Sequence, residues 1–180
     1  HLRKTRPTHQ AQLMHIFITG YMGVGKTTVG KELSKLMHIP FIDLDAFIEE
    51  NTSSSIPQLF KTKGEQQFRK LERDALLTLC DKKENHLIAL GGGTMCHLNN
   101  HLDILQNGIA VYLYKPWSEI ALNLNELQNR PLVQQNNMTE LEAIFRKREP
   151  FYELSQLKMP TNSTFDTKKL ADTLKILTNR

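Results

Sequence analysis

A glycine-rich stretch near the start of the chain has the spacing of a phosphate-binding loop. From Gly20 to Thr28 it reads GYMGVGKTT and fits G-x-x-x-x-G-K-[ST]. Glycines let the backbone turn its N–H groups toward a phosphate, and a following helix points the positive end of its dipole at the same anion. The Lys26 ammonium suits the β- and γ-phosphates, and the Thr27 hydroxyl suits Mg²⁺. The predicted nucleotide contacts are Gly23, Val24, Gly25, Lys26, Thr27 and Thr28.

The second predicted strand ends in two carboxylates. Asp43 and Asp45 stand two residues apart, and at the frayed end of a strand both reach one crevice. A carboxylate beside the Mg²⁺ water shell and another beside an acceptor hydroxyl would suit phosphoryl transfer. The alternative is a pair of solvated acids, with Asp45 capping a helix that begins at Ala46. Because the third strand does not end in the aspartate of a Walker B motif, the predicted metal ligands are Thr27 and Asp43.

An arginine and three consecutive glycines indicate a place for a second ligand. Arg69 lies in GEQQFRKLE, and the planar fork of an arginine suits a carboxylate substrate, with Glu72 placed to hold it. A surface arginine paired with a nearby acid is the alternative. The triplet Gly91, Gly92 and Gly93 follows a buried strand directly, and it permits a close approach of the backbone to a ligand.

Two more arginines lie in the C-terminal third. Arg130 heads a polar segment, 130–138, which is predicted to fold over bound nucleotide as a lid that excludes water. An arginine there stabilises charge on the phosphoryl group in transfer. Arg148 lies in the sequence RKRE, where a solvated basic helix face is the alternative, and the residues alone leave its role open.

Strands alternate with helices along the chain, which predicts an α/β fold with a parallel sheet covered by helices on both faces. Ligands bind such sheets at the carboxyl ends of the strands, where the phosphate loop, the aspartates, the glycine triplet and the Lys115-Pro116 turn all fall. The predicted strands are 15–19, 41–45, 87–90 and 109–114, with a poor or edge strand at 156–161 because of Pro160.

Several boundaries between these elements follow from capping and turn chemistry. Ser55 is predicted to cap a short helix that Gly64 closes, and Ser118 to cap a helix from Glu119 to Gln128. Gln134 to Asn137 is predicted to be a flexible polar patch. Thr139 and Glu142 have the spacing of a capping box.

Length and charge bound the organisation of the chain. Its 180 residues suit one domain, predicted from 14 to 180, after a polar segment 1–13 that is interpreted as a disordered leader or a cloning remnant. That segment holds Arg3, Lys4 and Arg6, and without these three charges the net charge of +4 falls to +1. The basic balance therefore does not indicate nucleic acid as a partner.

Other features point to an ordinary intracellular enzyme. No apolar stretch reaches the length that crosses a bilayer, so no membrane partner is expected. No secretory signal is recognisable, and the cytoplasm is the expected compartment. The two cysteines, Cys80 and Cys96, have no metal-binding spacing and are interpreted as reduced thiols.

The motifs taken together resemble shikimate kinase, and the resemblance covers nearly the whole chain from Met14. The phosphate loop is generic to nucleotide binding, whereas G-E-x-x-F-R-x-x-E with the triple glycine is more specific. The ordered set is Gly20–Thr28, Asp43–Asp45, Gly64–Glu72, Gly91–Gly93, Arg130–Leu132 and Lys147–Tyr152.

The resemblance implies a P-loop kinase similar in fold to nucleoside-monophosphate kinases and usually monomeric. It implies that ATP, with Mg²⁺, phosphorylates the 3-hydroxyl of shikimate in aromatic amino-acid biosynthesis. By that likeness Asp45 binds the substrate hydroxyls and is the candidate base, and Asp43 supports the metal. Arg69 and Arg148 grip the substrate carboxylate, Gly91 to Gly93 line its site, and Arg130 reaches from the lid to ATP.

Two departures and two rival functions qualify this interpretation. The family often carries an arginine near adenine, but residues 117–129 contain none, and 161–164 match loosely. The adenine contacts are therefore left open. The rivals are a related small-molecule kinase, acting on gluconate or a nucleoside monophosphate, and a nucleotide-binding regulator without catalysis.

Overall fold

The computed structural model describes residues 14–124 and 131–178. Within them one sheet contains all-parallel strands in the order β2-β3-β1-β4-β5. The strands are β1 (His15–Thr19), β2 (Phe41–Asp43), β3 (Leu87–Ala89), β4 (Gly108–Tyr114) and β5 (Leu157–Pro160). The predicted α/β class is confirmed, and β5 is the edge strand that Pro160 predicted.

Helices connect these strands and cover the sheet. They are α1 (Lys26–Met37), α2 (Leu44–Thr52), α3 (Ile56–Cys80), α4 (Asn100–Asn107), α5 (Trp117–Leu124), α6 (Pro131–Gln135), α7 (Met138–Tyr152) and α8 (Thr167–Leu177). A short 3-10 turn, Thr94–Cys96, follows the glycine triplet. None of the helices in the described ranges is long and apolar enough to span a membrane.

Alternation along the strands divides the buried side chains between two layers. Ile16 and Ile18 of β1 pack in one core with α1, α7 and α8, whereas Phe17 packs in the other with α2, α3 and α4. Successive side chains of a strand point to opposite faces, so a strand apolar at every position must be covered on both. Because all the strands are parallel, their carboxyl ends lie together at one edge of the sheet.

Helix α3 bends at Gly64, whose backbone has φ 76° and ψ 168°. Ser55 caps its start by accepting a hydrogen bond from the Gln58 N–H, as predicted. Since φ 76° is in the region that favours glycine, Gly64 interrupts the helical backbone at this kink, where the first of two helices was predicted to end. The half after the bend carries Arg69 and Glu72 with a helical offset of three, on one face.

The predicted second strand is too long. β2 ends at Asp43, and α2 begins at Leu44. The cause is the Asp43 side chain, which accepts hydrogen bonds from the N–H groups of Asp45 and Ala46 and so caps the helix. Asp45 is therefore in the first turn of α2 rather than at a frayed strand end.

The predicted capping box at Thr139 and Glu142 is also wrong. Asn137 and Glu140 form the box, and α7 begins at Met138. Both pairs have the same three-residue offset, and the sequence spacing does not choose between them.

Two further boundaries differ from prediction. The polar patch 134–137 is partly helical, since α6 runs to Gln135. Helix α5 begins at Trp117, one residue before the predicted cap Ser118, and the rest of the helix predicted to reach Gln128 lies outside the described residues. The domain limits 14–180 stay a prediction.

Candidate active site

The loop between β1 and α1 has the backbone that its glycines predict. Gly20, Gly23 and Gly25 have φ values of 138°, 78° and 96°, all in the region that favours glycine. A methyl group on Gly20 would lie 2.3 Å from the carbonyl oxygen of Leu113. The loop leads straight into α1 at Lys26, so its N–H groups and the helix N-terminus face the same space.

A pocket beside this loop, the phosphate-loop pocket, collects most of the predicted nucleotide contacts. It is lined by Met22, Gly23, Gly25, Lys26, Thr27, Thr28, Asp43, Asp45, Leu90, Gly91 and Gly92. Val24 is not among the lining residues, because its side chain is buried in the core at 2% exposure. The Lys26 ammonium donates to the carbonyl oxygens of Gly20 and Tyr21 at 2.9 and 2.8 Å, which holds it against the loop.

The two predicted metal ligands are in direct contact. The Thr27 hydroxyl donates to one oxygen of Asp43 at 2.8 Å, and the other oxygen of Asp43 caps α2. Mg²⁺ usually keeps several waters and binds one or two protein oxygens together with substrate phosphates. A hydroxyl and a carboxylate side by side at the phosphate loop fit that pattern.

A second pocket, the arginine pocket, adjoins the first. Arg69 and Arg148, which were predicted to bind a carboxylate, both line this pocket. It is lined by Met22, Asp45, Ile56, Phe60, Glu65, Phe68, Arg69, Glu72, Gly91, Gly92, Gly93, Pro131, Leu132, Gln135 and Arg148. Met22, Asp45, Gly91 and Gly92 line both pockets, so the two spaces adjoin at these residues.

Arg69 is held by acidic side chains. Its Nη1 donates to Glu72 at 2.8 Å, and its Nε and Nη2 donate to Glu65 at 3.3 and 3.1 Å. Glu72 is 1% exposed and also accepts from the Thr94 hydroxyl at 2.6 Å. Burial works against the charged guanidinium of Arg69, but Glu72 and Glu65 outweigh it and raise its pKa. A cation at this position is therefore maintained in a buried setting.

Arg148 is anchored from the other side of the arginine pocket. It is 8% exposed, and its Nη1 donates to the carbonyl oxygen of Gly92 at 3.3 Å. Tyr152, one turn further along α7, donates its hydroxyl to the same oxygen. The open question of whether Arg148 belongs to a solvated face is settled, since it lies in the pocket. Arg146, two residues earlier, is a solvated arginine paired with Glu142 and Glu149.

Two of the three glycines of the triplet have a steric reason. A methyl on Gly91 would lie 2.9 Å from Asp45 and 3.0 Å from Glu72, and one on Gly93 would lie 2.7 Å from Nη2 of Arg69. At Gly92 the nearest atom would be the Met22 nitrogen at 3.5 Å, an ordinary contact. Gly91 and Gly93 therefore make room for protein side chains, and Gly92 joins the phosphate loop to the arginine pocket.

Several residues that shape the site were not predicted. Thr94 fixes Glu72, Tyr152 fixes Gly92, and Phe60 and Phe68 place their rings within 5.9 and 5.2 Å of the Arg69 guanidinium. The available signal was weak: Tyr152 closes the motif Lys147–Tyr152, but nothing in the spacing shows that its hydroxyl would reach residue 92.

Some predicted features lie away from the two pockets or outside the described residues. Arg130 is outside them, although its neighbours Pro131 and Leu132 line the arginine pocket. Lys115 and Pro116 line neither pocket in the part of the chain described. Cys80 and Cys96 are free thiols, and burial raises the pKa of each to about 11, which keeps them protonated near neutral pH.

Comparison with known proteins identifies relatives over nearly the whole chain. The shikimate kinase family model matches residues 22–177. Shikimate kinases from Flavobacterium johnsoniae and Bacillus cereus are 36% and 39% identical, covering 90% and 89% of this chain and 98% and 95% of their own. The Bacillus subtilis enzyme is 34% identical over 90% of this chain and 89% of its own.

Solved structures agree in fold. A shikimate kinase from Acinetobacter baumannii in complex with shikimate superposes with a TM-score of 0.82 at 36% identity, covering 94% of this chain and 96% of its own. One from Bacteroides thetaiotaomicron has a TM-score of 0.80 at 33% identity, covering 93% and 99%. A gluconokinase from Sinorhizobium meliloti, at 12% identity and a TM-score of 0.54, shares the fold alone. The chain belongs to the shikimate kinase family.

Proposed function

We propose that this chain uses ATP to phosphorylate the 3-hydroxyl of shikimate, with the donor in the phosphate-loop pocket and the acceptor in the arginine pocket. The observation that carries the proposal is the shared boundary of the two pockets at Asp45, Gly91 and Gly92. Phosphoryl transfer needs an acceptor hydroxyl in line with the γ-phosphate, and adjoining pockets supply that arrangement.

On the donor side, the N–H groups of residues 23–28 cradle the phosphates of ATP. Val24 contributes through its backbone, since its side chain is buried. Lys26 leaves or shares its bonds to the Gly20 and Tyr21 carbonyls to meet the γ-phosphate. Arg130, from the lid, adds a second cation that spreads the charge during transfer.

Thr27 and Asp43 would hold Mg²⁺. Their oxygens are adjacent, at 2.8 Å, and few protein ligands are needed when phosphate oxygens and water complete the shell. When bound with ATP, the ion supplies charge neutralisation between the β- and γ-phosphates. Asp43 keeps its cap on α2 through its other oxygen, and so its position is fixed before the ion arrives.

On the acceptor side, Arg69 and Arg148 bind the shikimate carboxylate and the glycine triplet lines its ring. Arg69 and Arg148 are both buried, each 8% exposed, so their attraction for a carboxylate is weakly screened. Asp45 positions the hydroxyl and accepts its proton. The Asp45 carboxylate lies beside Gly91, on the boundary between the pockets, where that proton is released.

The remaining assignments follow from the same reaction. A complete site within one chain suits a monomer, and the use of ATP suits the cytoplasm. Neither nucleic acid nor a membrane is needed as a partner. The alternative to be tested is a kinase that acts on gluconate or on a nucleoside monophosphate, because such a kinase would have the same fold.

The test is a coupled assay of ADP release with ATP, Mg²⁺ and a panel of acceptors: shikimate, quinate, gluconate, AMP and CMP. Shikimate-dependent release that is lost without Mg²⁺ is expected. Release with gluconate or a nucleotide instead would overturn the substrate assignment, and binding of ATP without any release would favour a regulator.

Within that assay, Asp45→Asn tests the proposed base. The substitution keeps the shape of the side chain but removes the charge that draws the proton. A fall in kcat on the order of 10²-fold or more is expected, with a small change in the KM for ATP. Turnover within a few-fold of the unsubstituted enzyme would show that Asp45 does not act as the base.

A further inference from the structure

The Arg69 guanidinium makes hydrogen bonds to carboxylates through all three of its nitrogens. Nη1 donates to Glu72, and the edge formed by Nε and Nη2 donates to a single oxygen of Glu65. The Nε–Nη2 edge is one of the two that can take a carboxylate with two parallel hydrogen bonds. An incoming carboxylate must therefore share this cation or displace a partner.

The other end of the guanidinium lies against the glycine triplet. A methyl on Gly93 would be 2.7 Å from Nη2 and 2.8 Å from Nη1, so the Gly93 backbone packs against that end. The buried Glu72 already holds Nη1. The edge that remains for a substrate carboxylate is the one that Glu65 occupies.

The two acidic partners differ in how easily they leave. The Glu72 side chain is 1% exposed and also accepts from Thr94, so its departure would bury an unpaired donor and charge. The Glu65 side chain is 56% exposed, so its carboxylate is already largely hydrated and loses less when it moves from Arg69 into water. Glu65 is the partner that an anion displaces.

Space exists for the displaced side chain. Glu65 also lines a neighbouring pocket, together with His97, Lys147 and Arg148. A rotation of the Glu65 side chain into that pocket would leave the Nε–Nη2 edge of Arg69 open to a ligand.

We propose that Glu65 is a specificity-determining residue: its carboxylate holds the acceptor's place on Arg69 until a carboxylate substrate displaces it. The proposal rests on the proposed function, because it takes the acceptor carboxylate to bind Arg69. An acceptor without a carboxylate cannot displace Glu65 and meets a narrowed pocket. The cost of displacement lowers the apparent affinity for shikimate, since only the fraction of molecules with an open Arg69 edge binds.

The experiment is calorimetric titration of shikimate into the full chain and its variants Glu65→Gln and Glu65→Asp. Gln removes the charge, and Asp keeps it on a side chain one methylene shorter, which draws the carboxylate back from the Arg69 edge and weakens the pair. Both are expected to bind shikimate about two- to fivefold more tightly, the range that a partly exposed ion pair supports. The methyl ester of shikimate, which carries no charge, should gain nothing from the same substitutions.

Glu142→Gln is the matched control. Glu142 pairs with Arg146 at the same four-residue helical offset and at 3.3 Å, and its side chain is 41% exposed, but its arginine partner is on the surface and Glu142 lines neither pocket in the described ranges. It should leave shikimate affinity unchanged.

Three results would overturn the proposal. Weaker binding by Glu65→Gln would mean that Glu65 supports Arg69 while the substrate binds elsewhere on it, and unchanged binding would mean no competition. Tighter binding by Gln with unchanged binding by Asp would indicate a general effect of charge. If the unsubstituted chain does not bind shikimate at all, it is the proposed function that fails, and the two failures are thereby told apart.

Discussion

Replacing Gly93 with alanine tests whether the exact position of Arg69 governs acceptor binding. The added methyl would lie 2.7, 2.8 and 2.9 Å from Nη2, Nη1 and Cζ of Arg69, whereas ordinary contact begins near 3.4 Å. The guanidinium must therefore retreat by about 0.5–0.7 Å. Glu72 cannot follow it, because Thr94 holds that carboxylate at 2.6 Å.

The size of the effect follows from this shift. Overpacking of this kind costs about 1–3 kcal/mol, which lowers Tm by roughly 2–12 °C in a chain of this length. A displacement on the order of 1 Å in a positioning group costs about 10²-fold in efficiency, so a KM for shikimate raised about tenfold is expected here. The KM for ATP should change little, since the phosphate loop lies on the far side of Gly92.

Steady-state kinetics with shikimate and ATP varied separately measure the two effects. Gly30→Ala is the matched control, because its methyl would lie 2.4 Å from the Phe41 ring, away from the arginine pocket. It should lower Tm without raising the KM for shikimate. In an Arg69→Lys background, Gly93→Ala should have little further effect on that KM. A KM unchanged by Gly93→Ala despite a lower Tm would refute the reasoning.

Two other substitutions test the supports of the site. Tyr152→Phe removes the hydroxyl that holds the Gly92 carbonyl, so a loss of about 1–2 kcal/mol and a severalfold higher KM for shikimate are expected; an unchanged KM would confine Tyr152 to stability. Burial, with Arg69 and Arg148, lowers the pKa of His97 to about 4. Between pH 6.5 and 4 the unfolded chain binds a proton at His97 that the folded chain does not bind. The free energy of unfolding should therefore fall as the pH drops from 6.5 toward 4. Denaturant titrations should show a shallower fall in His97→Asn, and an equal slope would contradict this.

The sequence predicted the strands and the phosphate loop well because both depend on local patterns. The strand at His15–Thr19 has its predicted limits. All five of its residues are buried, as expected for a central strand that is covered by helices on both faces. Positive φ values at Gly20 and Gly25 occur at the two glycines that the motif requires. Such features need no knowledge of distant residues.

Boundaries failed where one side chain has two roles. Asp43 both caps α2 and accepts from Thr27, a residue 16 positions earlier, so the strand ends two residues sooner than its apolar pattern indicates. At α7, Asn137 with Glu140 and Thr139 with Glu142 satisfy the same spacing, and only the position of the helix in the fold selects the first pair.

The residues of the proposed acceptor side were named from the sequence, but the contacts that assemble them were not, because those contacts join distant parts of the chain. The Gly92 carbonyl oxygen accepts hydrogen bonds from Arg148, 56 positions away in the sequence, and from Tyr152, 60 positions away. Tyr21, inside the phosphate loop, donates to the Leu141 carbonyl, and its ring lies 6.0 Å from the Arg148 guanidinium. Helix α7 thus contacts the loop that is proposed to bind the donor and carries Arg148, which is proposed to bind the acceptor. Because buried contacts of this kind tolerate little displacement, the two halves of the site are held in register before either ligand binds.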